Sequence, residues 1–221
     1  MTPPRLAVLI SGRGRNLGAL LDAERDGRIP AQPVAVIANV DDAPGLALAR
    51  AAGVPALSVS HRAFDDRAAF DAALAQCLRE CRADIVALAG FMRVLGDAFV
   101  REFEGRMLNI HPSLLPKYRG LHTHARALAA GDREHGATVH FVTPQLDGGP
   151  AIIQGRLSVG PEDDEHTLAQ RVLERIELKI YPQAVAWMAR GEIVLREGRV
   201  HFRGAPLLHA LGLDDLEPEF R

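Results

Sequence analysis

Asn109 and His111 stand two residues apart in the stretch "NIHPSLLPKYRG" (109–120), directly after an apolar run. Strand alternation puts both side chains on one side. In open α/β sheets, ligands bind at the carboxyl ends of strands. An asparagine amide can donate to a developing oxyanion, and a histidine can donate as imidazolium or move a proton near neutral pH. Pro112 and Pro116 stiffen the exit, which suits groups that must be preorganised. A matching acid stands in "QLDGGP", where Gly148 and Gly149 after Asp147 let the backbone pass close to a ligand. Each residue also has an ordinary reading: Asn109 as a turn cap, His111 as a structural hydrogen-bonding group, Asp147 as a turn residue between antiparallel strands. Amide, imidazole and carboxylate together point to an oxyanion site. No serine or cysteine has the setting of a nucleophile. His122 and His124 in "GLHTHA" do not share a helix face, and no third ligand has matching spacing, so no metal is expected.

A second candidate lies in "SGRGRNLGALL", after the first apolar run. Gly12-x-Gly14 begins the dinucleotide fingerprint, but Leu17 occupies the third glycine position. Asn39 ends the second strand where an acid would bind a ribose, with Asp41 and Asp42 slightly later. Both features count against NAD. A P-loop is excluded, because no Gly-Lys-Ser/Thr is present. The remaining reading is a single phosphate on backbone N–H groups and a helix N-terminus, with Arg13 and Arg15 available for charge-assisted bonds. The alternative is a tight strand-to-helix turn with two solvated arginines.

The elements that must position these residues read as α/β. Apolar runs at 5–10, 33–38, 54–59, 84–89 and 106–110 are too short for core helices and predict buried strands. Between them lie a helix with Leu17, Leu20 and Leu21 on one face, a helix over 45–53 closed by Gly53, and a helix over 65–82 apolar at Phe70, Ala73, Leu74, Cys77 and Leu78. Strands separated by helices imply right-handed crossovers and a parallel sheet. A short helix is expected at 124–130. The strands at 137–142 and 151–159 are joined by eight residues, too few for a crossover helix, so they should be antiparallel. Leu168, Val172, Ile176 and Ile180 predict a long helix. A hairpin over 192–202 turns at Glu197-Gly198, and "DDLEPEFR" reads as a loose tail. The expected fold is an open, mostly parallel, Rossmann-like sheet flanked by helices, with antiparallel strands in the C-terminal half.

The chain has 221 residues, of which 48% are apolar and 24% charged, the balance of a soluble globular protein. A net charge of −2 leaves no footprint for nucleic acid or an anionic membrane surface. The apolar run at 6–10 is too short for a secretory signal or a span of about 20 residues. Cys77 and Cys81 form neither a disulfide framework nor a C-x-x-C site and read as reduced thiols. A cytoplasmic protein is expected.

"NIHPSLLPKYRGLHTHARAL", "GDREHGATVHFV", "LDGGP", "LISGRGRNL", "AFDDRAAFD" and "LAGFMRVL" together resemble the phosphoribosylglycinamide formyltransferase family, folate-dependent enzymes of purine synthesis. The resemblance spans about residues 6–181. It implies formyl transfer from 10-formyltetrahydrofolate, without a metal, to the glycyl amine of glycinamide ribonucleotide. By resemblance, Asn109 and His111 stabilise the tetrahedral oxyanion, and Asp147 keeps His111 protonated and assists proton movement. Gly14, Arg15 and Asn16 match the loop holding the ribose phosphate, Pro112 belongs to the substrate side, and Glu177 matches an acid for the ribose hydroxyls. Arg67, Met92, Arg93, Val94 and Leu95 match the folate side, which Asn109, His140, Val142 and the 140–147 loop complete. Three departures stand out: Arg15 replaces a usual Ser, Leu178 replaces a usual His, and the spacing from Arg171 to Glu177 is one residue longer than usual.

The resulting division is one domain over 1–221, with a parallel phosphate-binding half (1–105), a catalytic and folate-binding half (106–205) and a tail (206–221). The expected partners are the two small-molecule substrates, with no nucleic acid or membrane, in a monomer or homodimer. A formyltetrahydrofolate hydrolase would share the trio but is expected to carry an extra N-terminal domain, for which a first strand at residue 5 leaves no room. A methionyl-tRNA formyltransferase would need a C-terminal RNA-binding domain and a basic face. A nucleotide-binding module that has lost catalysis would not be expected to keep Asn109, His111 and Asp147.

Overall fold

The computed structural model describes residues 2–221. Strands β1 (Arg5–Ile10), β2 (Gln32–Ala38), β3 (Ala56–Ser58), β4 (Ile85–Leu88) and β5 (Met107–His111) alternate with helices α1 (Arg15–Arg25), α2 (Gly45–Ala51), α3 (Arg67–Glu80) and α4 (Asp97–Glu102). Helix α5 (Thr123–Ala129), strands β6 (Glu134–Phe141) and β7 (Ala151–Ser158), and helices α6 (Glu165–Val172) and α7 (Leu178–Ala189) follow. Strands β1 to β7 form one sheet in the order β3-β2-β1-β4-β5-β6-β7. Pairing is parallel from β3 through β5, and β6 runs antiparallel to both β5 and β7. Parallel front and antiparallel back agree with the expected α/β class.

The sheet is covered on both faces, which explains why its strands are continuous apolar runs. Leu6, Val8 and Ile10 pack with Leu17 and Leu20 of α1 and with Val172, Ile176 and Ile180. Their neighbours Ala7 and Leu9 pack with Phe70, Leu74 and Leu78 of α3 and with Phe99 and Phe103 on the other face. Each fully buried aliphatic or aromatic side chain is worth about 1.5–3 kcal/mol relative to exposure. From β1 the chain fills one side of the sheet, then returns to start β4 on the other. That reversal opens a crevice at the carboxyl ends of β1 and β4, where such sheets bind ligands. Tyr181, fully buried on α7, shares its hydroxyl proton between the carbonyls of Leu88 (2.9 Å) and Leu108 (3.1 Å), tying α7 to β4 and β5.

Three C-terminal features differ from the sequence expectations. The long helix is two helices, separated by a π turn over Leu173–Glu177, although Leu168, Val172, Ile176 and Ile180 are all buried. The hairpin β8 (Ile193–Arg196) and β9 (Arg199–Phe202) turns at Glu197-Gly198 as expected, but joins β10 (Ala205–Pro206) in a separate small sheet. The tail is not loose: Leu216 and Phe220 are buried, and the Glu217 carboxylate accepts bonds from Trp187 Nε1 (3.1 Å) on α7 and from Arg190 (2.6 Å) just after it. Before it, the Leu211 backbone bonds to Ile152 and Gln154 and covers the outer edge of β7. Among the described residues, no helix is long and apolar enough to cross a membrane.

The β6–β7 turn leaves no room at Gly149, where a Cβ would overlap the Phe141 carbonyl oxygen. Gly149→Ala must therefore shift the turn backbone, at a cost of roughly 2 kcal/mol or more. Thermal denaturation should show Tm lowered by about 4 °C or more; an unchanged Tm would contradict this tight approach.

Candidate active site

Asp147 occupies that turn in the left-handed region, at φ 45°, with its side chain only 10% exposed. Its Oδ2 accepts the Gly120 N–H at 2.9 Å and lies 3.4 Å from His111 Nδ1. Its Oδ1 is 3.5 Å from Asn109 Nδ2 and 3.8 Å from His140 Nε2. The β5–β6 register sets Asn109 opposite His140. His140 Nδ1 faces the Phe141 carbonyl at 2.8 Å and therefore carries a hydrogen. Burial holds the ring below its ordinary pKa, against the opposing pulls of that carbonyl and of Asp147, so it is neutral. Its Nε2 then accepts from Asn109 Nδ2 at 3.1 Å, which fixes the amide with its NH2 group toward His140 and Asp147. His111 is bonded differently. Its Nε2 lies 2.9 Å from the Tyr118 carbonyl and its Nδ1 faces a carboxylate, so a doubly protonated ring satisfies both acceptors.

The exit loop that supplies the Tyr118 carbonyl is pinned from β6 and β7. Thr138 Oγ1 donates to the Ser113 carbonyl (2.7 Å) and accepts from the Leu115 N–H (3.1 Å) and Gln154 Nε2 (3.0 Å). Ser113 donates to the Lys117 carbonyl, and the Tyr118 hydroxyl donates to Asp132. The Leu115–Pro116 peptide is cis. Beyond the loop, His124 meets His135 of β6 at 3.0 Å rather than His122, which is exposed. One ring donates and the other accepts. Burial lowers both pKa values, that of His135 to about 4.

At the crevice, Ser11, Gly12, Arg13, Gly14, Arg15, Asn16, Ala89, Gly90 and Met92 line one cavity. Gly14 adopts φ 75° at the start of α1, and a Cβ there would press on Gly45 Cα at 3.1 Å. Ser11 carries no sequence signal of its own. It donates to Asn39 Oδ1 (2.5 Å) and accepts the Met92 N–H (2.7 Å), giving buried Asn39 a structural role. Asn16 Nδ2 donates to Glu177 Oε2 at 2.7 Å, while buried Asn16 Oδ1 has no partner among the described residues. Burial raises the pKa of Glu177, opposed by the Asn16 amide. The π turn ends at Glu177.

A second, apolar cleft adjoins the first. It is lined by Val94, Leu95, Asn109, His140, Val142 and residues 143–147, all among those expected on the folate side, and also by Leu88, Phe91 and Val100. Phe91 is not singled out in the sequence, being an isolated apolar residue in a loop. Met92 lies in the crevice cavity instead, and Arg67 lines a third cavity between α3 and α4 with Asp71 and Phe99. Arg93, half-buried, carries its charge near Asp71. Asp71 Oδ2 accepts the Gly96 N–H at 2.7 Å and so anchors the turn containing Met92, Arg93, Val94 and Leu95 to α3. Pro112 begins the pinned exit loop.

The family model described as formyl transferase matches residues 4–185, most of the chain and all of the site just described. The chain belongs to the formyl transferase family. Among its formyl transferase relatives, the phosphoribosylglycinamide formyltransferase of Escherichia coli is 46% identical over 91% of this chain and 95% of its own length. A phosphoribosylglycinamide formyltransferase structure from Coxiella burnetii superposes with a TM-score of 0.89 at 46% identity, covering 95% of this chain and 99% of that one. The trifunctional purine biosynthetic protein adenosine-3 of Drosophila melanogaster is 48% identical over 86% of this chain, which spans 14% of that longer protein.

The His124–His135 pair makes stability depend on pH. Since the folded pKa of His135, about 4, lies below the ordinary 6.5, the unfolded chain takes up a proton that the folded protein refuses. The stabilisation is complete above pH 6.5 and is lost as pH falls toward 4. The denaturant midpoint should drop between pH 7 and pH 5, and His135→Gln should weaken that dependence. A wild-type midpoint that does not change over this range would show that the pair is not refusing protons.

Proposed function

We propose that the protein transfers the formyl group of 10-formyltetrahydrofolate to the glycyl amine of N1-(5-phospho-D-ribosyl)glycinamide, in purine biosynthesis. The products are the formylglycinamide ribonucleotide and tetrahydrofolate. The observation that carries this reading is a two-substrate layout around one strand end. Leu88 and Phe91 line the apolar cleft while the interleaved Ala89, Gly90 and Met92 line the glycine-rich cavity, and Asn109 forms part of the cleft wall. A flat, aromatic folate suits the first and a phosphorylated ribose the second. The names of the relatives agree with this assignment.

In the reaction, the glycyl nitrogen bonds to the formyl carbon, the bond from that carbon to the folate N10 breaks, and one proton passes from the amine to N10. One N–H of Asn109 is held by His140, and the second, only 3.5 Å from Asp147, is the direct donor to the oxyanion; a single such donor is typically worth about 10²–10³ in rate. His111, doubly protonated between Tyr118 and Asp147, adds positive charge beside the developing oxyanion. Asp147 compensates that charge and relays the proton through water. Gly14, Arg15 and Asn16 hold the phosphate, and Glu177 with Asn16 offers acceptors to the ribose hydroxyls. Arg67, Arg93, Val94, Leu95 and Val142 serve the folate side. No step calls for a metal, and these substrates suit a cytoplasmic enzyme.

The test mixes purified protein with glycinamide ribonucleotide and a 10-formyl folate and follows release of the deformylated folate. Release should require the ribonucleotide and match formylated product one to one. Folate release that is indifferent to the ribonucleotide would replace transfer with hydrolysis.

A further inference from the structure

Two neighbouring side chains of the first turn of α1 reach the π turn. In the buried layer Asn16 donates to Glu177; at the rim Arg15 lies 3.5 Å from Glu174, which also accepts from Gln170 at 3.2 Å. The π turn, with one residue more than an α-helical turn, presents both glutamates to α1. Arg15 also lines the cavity assigned above to the phosphate. Its guanidinium therefore has two rival anions, Glu174 and a bound phosphate. The Arg15 and Glu174 side chains are 57% and 47% exposed, so their contact is screened by water and readily exchanged. A phosphate offers three strong acceptor oxygens to the same donors. Arg13, the other cation of this cavity, has no ion-pair partner among the described residues and is not subject to such competition.

We propose that Glu174 is a positioning residue that holds Arg15 at the mouth of the phosphate cavity and competes with the phosphate for it. A carboxylate outside the reaction centre thereby weakens the grip on substrate and product. The role rests on the ribonucleotide reading above. It goes beyond that reading by making phosphate affinity depend on a residue of the π turn.

Four proteins test it: wild type, Glu174→Gln, Arg15→Ser and the double variant. Each is titrated with inorganic phosphate by thermal shift, which needs no turnover, and assayed for KM and kcat with glycinamide ribonucleotide. Glu174→Gln should tighten phosphate binding and lower KM by about two- to fivefold, the scale of an exposed ion pair, with the change confined to KM. Arg15→Ser should weaken phosphate binding and raise KM, and on that background Glu174→Gln should give less than half its gain. Equal gains on both backgrounds, or no gain at all, would overturn the role of Glu174 while wild-type turnover left the transferase reading intact. Wild-type protein that binds phosphate but has no ribonucleotide-dependent turnover would overturn the transferase reading, with the phosphate titrations still deciding the Arg15–Glu174 coupling.

Discussion

One largely enclosed carboxylate holds the site together. Asp147 lies within 4 Å of polar groups from three places in the chain: Asn109 and His111 at the end of β5, His140 on β6 and the Gly120 amide beyond the exit loop. A carboxylate with 10% of its side chain exposed is costly unless such partners are in place. Strand end, antiparallel turn and exit loop must therefore be correct together. The left-handed backbone at Asp147 and the absence of a side chain at Gly149 are the local conditions for that convergence.

Two imidazoles approach the same carboxylate and are put to different uses by their other neighbours. His140 gives its Nδ1 hydrogen to the Phe141 carbonyl and, kept neutral by burial, turns an acceptor toward Asn109. His111 meets a carbonyl on one nitrogen and the carboxylate on the other, and so offers hydrogens on both sides. In each ring a backbone carbonyl thus fixes one nitrogen as a donor, leaving the other nitrogen to face the site. Orientation of this kind belongs to the rigid scaffold, in which Thr138 and Gln154 hold the loop that delivers the Tyr118 carbonyl.

Much of this was legible in the sequence because it follows from local periodicity and short motifs. The five apolar runs became β1 to β5, and the eight-residue connection correctly required an antiparallel β6 and β7. Asn109, His111 and Asp147 could be named from their types and spacing, and the structure brings them together. Other features depend on side chains far apart in the chain. The His124–His135 contact joins a helix to a strand, and the Thr138 network joins three segments; neither has a local pattern. The tail looked loose because Leu216 and Phe220 are isolated in an acidic segment, and their burial comes from distant parts of the chain, with Glu217 bonded to Trp187 of α7 and Arg28 over the Phe220 ring. The π turn had no local pattern, since a four-residue apolar spacing reads as continuous α-helix; within it Glu177 and Glu174 meet Asn16 and Arg15 of α1.

Whether the charge of Asp147, rather than its shape, organises the site can be measured with Asp147→Asn. The amide is nearly isosteric, and its oxygen can still accept the Gly120 N–H, so the fold should survive with Tm within a few degrees of wild type. Without the negative charge, the support of His111 and the proton relay proposed above would both be lost, so kcat should fall by at least about 10². A folded variant with near-wild-type kcat would contradict an electrostatic role for the carboxylate.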